Sequence, residues 1–269
     1  SQSAYRKCHS TETALIKVKT DFEVILDSGE GVMLVLLGLS AAFDTIDHET
    51  EIKRLQEIFG IEGTVLNWIR SYLSNRKQCV IINESRSSSV PLSIGVPQGS
   101  VIGPILFSLY IQPLMEIIAR HGVSRHGYAD DTQLYCRIPV KDTAGTQAAV
   151  QKMNACIDEV RSWMISNKLK INDAKTEMIL IANKHSMKHL ENRNITVTVG
   201  SSIIRPSKSV RNLGVQFDQE LSMKDQISQT KKKCYFNMKR ISRIRRHIDH
   251  DSCAKLMHAT VTVFSYLVI

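Results

Sequence analysis

The sequence predicts an α+β fold, in which an antiparallel sheet is backed by helices on one face, and three observations lead to this class. First, Val32 to Leu37 is an uninterrupted apolar run that ends at Gly38, which is typical of a central strand buried on both faces. Second, Tyr128 to Ile138 reads as two strands joined by a tight turn. Third, apolar residues recur at helical spacing in several segments, including 153–164.

The first predicted element is a helix that follows the polar opening of the chain. Leu15, Val18 and Phe22 are spaced at the helical period. Thr11 is the candidate N-cap, and because the residue three positions later is Ala14, no capping box is predicted.

The other elements are predicted from their apolar period or from flanking turn residues. In chain order they are short helices over 55–73, a hairpin of strands 79–82 and 90–92 around a serine-rich turn, a glycine-rich loop over 95–103, a helix started by Pro104 and restarted near Pro113, a helix over 153–164, and strands at 178–181 and 195–199.

Composition and charge narrow the class of protein. The 269 residues allow one large domain or two smaller ones, and the 43% hydrophobic content excludes a mostly disordered chain. Thirty-five Lys and Arg against 26 Asp and Glu give a formal net charge of +9. This excess favours a polyanionic partner such as nucleic acid, with a basic housekeeping enzyme as the alternative.

Cysteine usage and hydropathy bear on the compartment. The six cysteines form no CxxC pair, so neither a zinc site nor a disulfide framework is predicted, and a reducing, intracellular compartment (nucleus or cytoplasm) fits best. The longest apolar run is far shorter than the roughly 20 residues of a membrane span, so no membrane partner is expected. Because the chain starts at Ser1 and ends in the apolar stretch 261–269, we expect both ends to be cut from something longer.

A basic amphipathic helix is predicted over 231–246. Its positive residues surround an apolar stripe that includes Met238 and Ile241, and no acid interrupts them. Such a helix either presents an ordinary solvated face or contacts phosphates. The candidate nucleic-acid-binding residues are Lys232, Lys239, Arg240, Arg243 and Arg246.

Two adjacent carboxylates, Asp130 and Asp131, stand at the tip of the predicted hairpin. Adjacent aspartates usually lie in a solvated turn. Held beside a buried strand, however, they repel each other and raise their pKa values unless a cation lies between them, which favours a divalent metal site. In an antiparallel sheet the strand at 32–37 ends near the same place, and we expect it to deliver a third oxygen ligand.

Five sequence motifs, taken together, resemble one known family. They are LSAAFDTIDH at 39–48, GVPQGSVIGPILFSLYI at 95–111, YADDTQLY at 128–135, NKLKINDAKTE at 167–177 and VRNLGVQFD at 210–218. Their order resembles that of reverse transcriptases from non-LTR (LINE-type, jockey-like) retrotransposons. The segments 3–15 and 231–246 are similar to the fingers segment and the start of the thumb in the same family.

The resemblance implies a right-hand polymerase built from fingers, palm and thumb. Residues 1–30 would be a remaining fingers segment, 31–218 the palm with interleaved fingers elements, and 219–269 the truncated start of the thumb. The implied activity is RNA-directed DNA polymerisation with two Mg²⁺ ions, and the implied partners are an RNA template, a DNA primer and dNTPs. The oligomeric state stays open.

The resemblance also assigns roles to individual residues. Asp130 matches the metal-binding aspartate, with Asp131 as its less directly coordinating neighbour. Phe43 matches the bulky residue that excludes a ribose 2′ hydroxyl, and Lys175 matches a cation that faces the pyrophosphate. Gln98 matches a residue near the incoming nucleotide, where Gly95 and Gly99 would let the backbone approach the substrate.

One departure from the family frame concerns the first metal ligand. The family reads Leu-Asp-Leu-Ser-x-Ala-Phe-Asp, whereas this chain has Gly38 in place of the first aspartate. Glycine supplies no side-chain ligand, so its presence should cost several kcal/mol of transition-state stabilisation. Asp44 and Asp47 lie beyond the turn, and we expect neither to replace the missing carboxylate. A second departure lies within 48–51, where an acid stands at a position that relatives usually fill with Leu.

These observations leave three hypotheses. The first is a reverse transcriptase domain whose copy here is inactive because of Gly38. The second is a non-catalytic remnant that still binds RNA or an RNA–DNA duplex. The third is the unfolded product of a pseudogene.

Overall fold

Helices and strands alternate along the chain. The structure is a computed structural model that describes residues 2–40, 42–97 and 99–262. The α-helices are α1 (Thr11–Asp27), α2 (His48–Glu57), α3 (Gly63–Leu73), α4 (Gly103–Tyr110), α5 (Gln112–Arg120), α6 (Thr143–Ser166), α7 (Lys184–Glu191), α8 (Lys224–Ile244) and α9 (His250–Met257). Short 3₁₀ turns cover Ala42–Asp44, Asp173–Lys175 and Arg245–His247, and a π-helical turn covers His258–Thr262. No helix in these described ranges is long and apolar enough to cross a bilayer.

The strands pair into one central sheet and several small hairpins. They are β1 (Gly31–Leu37), β2 (Lys77–Gln78), β3 (Ile81–Ile82), β4 (Ser85–Arg86), β5 (Val90–Pro91), β6 (Ser124–Tyr128), β7 (Asp131–Ile138), β8 (Glu177–Ile181), β9 (Val197–Val199), β10 (Ser202–Ile204), β11 (Pro206–Ser207), β12 (Ser209–Asn212) and β13 (Val215–Asp218).

The central sheet has the strand order β11–β8–β1–β7–β6. Its central strand, β1, runs antiparallel to β7 on one side and to β8 on the other, and the short outer strand β11 pairs with β8 in parallel. The prediction of a buried central strand inside an antiparallel sheet is therefore confirmed. Because β1 has neighbours on both sides and both faces covered, every position in it except Leu36 is buried.

Alternate residues of β1 face two separate apolar clusters. Met33, Val35 and Leu37 belong to the larger cluster, into which the buried faces of α2 to α6 also pack. This is the helix-backed face that the sequence predicts, and α6 contributes the stripe expected over 153–164.

The opposite face of the sheet is covered as well. Val32 and Leu34 pack there with residues of α1 and of the β12–β13 hairpin. Phe22 of α1 makes edge-to-face contacts with Tyr135, at 5.2 Å between ring centroids, and with Phe217, at 6.3 Å. The sheet is therefore the middle layer of a sandwich, and the hairpin motif at 210–218 lies directly over it.

The start of α1 differs from its prediction. Ser10, not Thr11, is the N-cap: its hydroxyl accepts a hydrogen bond from the Thr13 amide, and the Thr13 hydroxyl accepts one from the Ser10 amide. A capping box therefore forms, with threonine in the position that usually holds Glu or Gln.

The hairpin near residue 80 also differs from its prediction. β3 pairs with β4 and β2 pairs with β5, so the tight turn lies between Ile82 and Ser85 instead of within the serine-rich segment. Asn83 adopts φ 53° in this turn, a conformation that Asn tolerates better than most residues.

Candidate active site

The two aspartates lie at the tip of the β6–β7 hairpin, as predicted. Tyr128 pairs with Asp131, which leaves Ala129 and Asp130 as a two-residue loop. Ala129 adopts φ 55°, because the tight turns that match strand twist require a positive φ at their first loop position. Asp130 follows it in the loop, and Asp131 begins β7.

Gly38 lies at the same end of the neighbouring strand. The β1–β7 register pairs Leu37 with Thr132, so the next step of the register places Gly38 opposite Asp131. The expectation that the strand at 32–37 ends beside the aspartate hairpin is therefore confirmed. What this strand brings to the site is a residue without a side chain.

The space beside Gly38 is filled by Lys175. A Cβ added at Gly38 would lie 2.6 Å from the Cβ of Lys175 and 3.2 Å from the Lys175 carbonyl oxygen. The 3₁₀ turn that carries Lys175 is fixed to this place, because the Asn172 amide donates to the Gly38 carbonyl oxygen at 2.8 Å. A side chain at position 38 therefore requires the main chain near Lys175 to move.

A small pocket of about 80 Å³ lies beside Gly38 and Lys175. Gly38, Asp131 and Lys175 share its wall with Glu177 of β8 and Arg211 of β12. Neither Glu177 nor Arg211 is a predicted site residue, although both belong to the family-like motifs at 167–177 and 210–218. Arg211 reaches the pocket because the β12–β13 hairpin folds over the sheet, and Glu177 reaches it because β8 pairs with β1. No local sequence pattern reveals either long-range contact.

The electrostatics of the pocket centre on Asp131. Its side chain is exposed, yet neighbouring protein atoms displace enough water to raise its pKa, and the Asp130 charge raises it further. Lys175 lowers it, without reversing the shift. The two carboxylates therefore repel each other, as the sequence analysis anticipated, and a lysine partly compensates for that repulsion.

The donor set does not fit a two-ion centre. Polymerase two-metal sites hold ions roughly 3.5 to 4 Å apart between several ligands. Within the residues that the structure describes, no group of three or more His, Cys, Asp or Glu side chains is placed to hold a metal ion. Asp130 and Asp131 supply carboxylates on one side, and on the other side Gly38 supplies none.

Among the described residues, neither Asp44 nor Asp47, the two acids that follow Gly38 in sequence, lines this pocket. Burial alone would raise the pKa of Asp47, but hydrogen bonds from Lys168 and Thr50 outweigh it and lower this pKa to about 2. The Asp47 carboxylate caps the N-terminus of α2 and forms a 2.8 Å ion pair with Lys168. Asp44 ends the 3₁₀ turn after Phe43 and is exposed.

Phe43 and the glycine-rich loop are held together. The Val96 amide donates to the Phe43 carbonyl oxygen at 3.0 Å, and the Phe43 ring packs against Phe107, with 4.8 Å between centroids. Gly95, at φ 81°, is needed because a Cβ there would lie 2.9 Å from the Asp44 carbonyl oxygen. The space at Gly95 is thus used for packing within the protein.

The remaining residues of this loop are Gln98 and Gly99. Gln98 lies outside the described residues. Gly99 adopts φ 80° and is exposed, and apart from Gly99 itself and its chain neighbours no described residue has an atom within 4 Å of where its Cβ would be, so the backbone there is open to a ligand.

The cationic segment 231–246 covers the C-terminal two thirds of α8 and extends into the 3₁₀ turn after it. All five candidate residues, Lys232, Lys239, Arg240, Arg243 and Arg246, are exposed, and none forms an ion pair with another described residue. The apolar stripe of α8 is largely uncovered here: Ile241 is buried, whereas Met238 and Ile244 are exposed. Tyr235 and Phe236 are each 62% exposed beside these positive charges.

Comparison with known proteins gives the same assignment as the motifs. A family model described as reverse transcriptase (RNA-dependent DNA polymerase) matches residues 1–217. The chain is 24% identical over 245 residues to a probable RNA-directed DNA polymerase from transposon BS of Drosophila melanogaster, covering 89% of this chain and 26% of that protein. It is also 24% identical over 233 residues to the RNA-directed DNA polymerase from mobile element jockey of the same species, covering 84% of this chain and 24% of the relative.

Two further points follow from these comparisons. The chain spans about a quarter of the length of the curated relatives it matches. Its fold is similar to that of apo telomerase from Candida tropicalis truncated from the C-terminal domain, with a TM-score of 0.54 and 11% identity over 81% of this chain and 40% of that one. With the aspartate hairpin beside the central strand, a right-hand polymerase sheet and a family match over residues 1–217, the chain belongs to the reverse transcriptase family.

Proposed function

We propose that this chain is the RNA-directed DNA polymerase domain of a retrotransposon in which nucleotidyl transfer is lost because Gly38 replaces the first metal-binding aspartate. Its partners are an RNA template, a DNA primer and dNTPs. Residues 1–30 are assigned to the fingers, 31–218 to the palm with interleaved fingers elements, and 219–269 to the start of the thumb.

The observation that carries this proposal is the packing at position 38. Reverse transcriptases use divalent metal ions, and phosphoryl transfer depends on charge neutralisation more than on covalent work by the protein. At the strand end that faces Asp131, this chain has no carboxylate, and Lys175 fills the space that a side chain would need. Position 38 therefore lacks a metal-binding side chain, and the packing of Lys175 leaves no room for one.

The chain's own residues still account for substrate positioning. Phe43 is held beside the glycine-rich loop, where a bulky ring discriminates against a ribose 2′ hydroxyl. Gly99 leaves its backbone open toward an incoming nucleotide. Lys175 is exposed at the pocket rim, where its mobile ammonium group suits a pyrophosphate.

A pair of matched substitutions tests the proposal. This chain replaces the corresponding segment of the jockey polymerase, and primer extension with Mg²⁺ is measured for Gly38, Gly38→Asp and Gly38→Asn. Both substitutions must displace Lys175 equally, but only aspartate adds a carboxylate. We expect extension from Gly38→Asp alone, several orders of magnitude above the other two, since each 1.36 kcal/mol is about tenfold in rate.

The recovered activity should disappear again on Gly38→Asp/Asp130→Ala, because the two carboxylates act on the same ions. If the chain with Gly38 already extends primers, another group supplies the ligand and the proposal is wrong.

The second candidate function is nucleic-acid binding without extension, and the exposed positive face of α8 favours it. Many Lys and Arg side chains contact the phosphate backbone in a sequence-independent manner. Gel-shift titration with an RNA–DNA duplex tests this second function: binding by the chain with Gly38 supports it, and the absence of binding contradicts it, whatever the primer-extension result.

A further inference from the structure

The N-terminal segment of the chain lies against the hairpin that carries the two aspartates. Gln2 forms a parallel bridge with Gly127, and the Ser3 amide donates to the Gly127 carbonyl oxygen at 2.9 Å. Tyr5 is close enough to Asp130 that, after burial, the Asp130 charge is the next cause of the raised pKa of the Tyr5 phenol. A segment remote in sequence thus borders the aspartate turn.

The side-chain amide of Gln2 makes two hydrogen bonds to a single residue of this turn. Its Nε2 donates to the Ala129 carbonyl oxygen at 3.1 Å, and its Oε1 accepts from the Ala129 amide at 3.1 Å. The Ala4 amide donates to the same Oε1 at 3.2 Å, which fixes the rotamer of Gln2 from the other side. Both main-chain polar groups of Ala129 are therefore satisfied by one side chain.

Ala129 needs such support because its backbone is strained. At φ 55° an L-residue with a Cβ is in the left-handed region, which costs roughly 1 to 2 kcal/mol compared with the right-handed one. Conformations of this kind persist where the surrounding structure holds them. The next residue in the chain is Asp130, so whatever holds Ala129 also sets the direction in which Asp130 leaves the turn.

We propose that Gln2 is a positioning residue for the aspartate turn: its amide clamps Ala129 and thereby orients Asp130. The proposal rests on the proposed function only in treating this turn as the catalytic one. The clamp is a property of the folded chain and exists whether or not this copy extends primers.

Amide hydrogen exchange in the intact chain tests the clamp directly. We expect Gln2→Ala to accelerate exchange of the Ala129 amide by about tenfold, the effect of losing one hydrogen bond, and to shift the Ala129 ¹³C resonances away from their left-handed values. Gln2→Glu replaces the Nε2 donor with an oxygen that repels the Ala129 carbonyl oxygen, so it should not preserve slow exchange. Ser3→Ala is the matched control one residue along, since it leaves the Gln2 bonds in place.

The catalytic consequence is measured in the Gly38→Asp chimaera. There, Gln2→Ala should lower kcat while KM for dNTP is unchanged, because the turn orients a carboxylate and does not bind the nucleotide base. If Ala129 exchange is the same in Gln2→Ala as in Ser3→Ala, the clamp does not exist and the proposal fails. If Gly38→Asp does not extend primers at all, the proposed function fails, and the exchange result still decides the role of Gln2.

Discussion

The side chain of Glu51 in α2 lies in surroundings that disfavour its charged form. It is fully buried, and neither carboxylate oxygen has a hydrogen-bond partner among the described residues. Burial raises its pKa to about 8, and Arg54 offsets this only in part. The Arg54 guanidinium donates instead to the Tyr110 carbonyl oxygen and to Asn167. Glu51 lies in segment 48–51, where this chain has an acid at a position that relatives usually fill with Leu, and of the two acids in that segment it is the buried one.

Stability should therefore fall with rising pH across the range that Glu51 controls. Between its unfolded pKa of 4.5 and its folded pKa of about 8, the folded chain binds more protons than the unfolded chain, so the Glu51 contribution is full below the lower value and lost as pH rises through the higher one. Chemical denaturation at several pH values measures it.

The slope attributable to one such group is at most about 1.4 kcal/mol per pH unit. Glu51→Gln should remove this component of the slope and raise the free energy of unfolding at pH 8. Glu49→Gln, an exposed acid in the same helix, should leave the slope in place. If the free energy of unfolding depends on pH equally in both variants, the titration of Glu51 does not cause the slope and the prediction is wrong.

At the scale of single elements, the capping box of α1 provides a clear comparison. Ser10→Ala removes the acceptor for the Thr13 amide and should lower the free energy of unfolding by about 1 kcal/mol. Thr11→Ala should change it by less than about 0.5 kcal/mol, because Thr11 is already inside the helix. Urea melts of the two variants distinguish the caps, and a larger loss for Thr11→Ala would restore the cap predicted from sequence.

The cationic segment 231–246, in α8 and the 3₁₀ turn after it, should determine how binding depends on salt. Arg243→Gln and Arg246→Gln should each reduce the slope of log K against log[salt] for an RNA–DNA duplex by about 1, since each removes one phosphate contact. Lys53→Gln is the control, because Lys53 already lies 3.9 Å from Glu57. Affinity that does not change with salt would contradict phosphate contact by this helix.

The sequence predicted those elements whose signals are local. The apolar run of β1, the aspartate pair between two strands and the proline-started α4 each carry their evidence within a few residues. Asn83 carried a usable signal for its turn, but the longer serine-rich segment nearby gave the stronger and incorrect one. The Thr13 side chain completes the capping box, at a position where the usual sequence pattern has Glu or Gln.

At the scale of the whole molecule, the unpredicted features are contacts between residues far apart in the chain. The hydrogen bonds between Gln2 and Ala129 join residues 127 positions apart in the chain. Lys175 packs on Gly38 because the pairing of β8 with β1 brings the 3₁₀ turn before β8 to the end of β1. Family resemblance pointed to Gly38 and Lys175, and the structure places both at one pocket together with Asp131. The resemblance could not show that Lys175 fills the space beside Gly38, because that is a property of this chain's packing.

The parallel strand β11 has a consequence for how copies of this chain meet one another. An outer strand with a free row of amide and carbonyl groups is a template on which a second chain can add its own strand and begin to aggregate. β11 is two residues long and begins with Pro206, which has no amide hydrogen to offer. Growth of the sheet from one copy into another is therefore disfavoured at this edge.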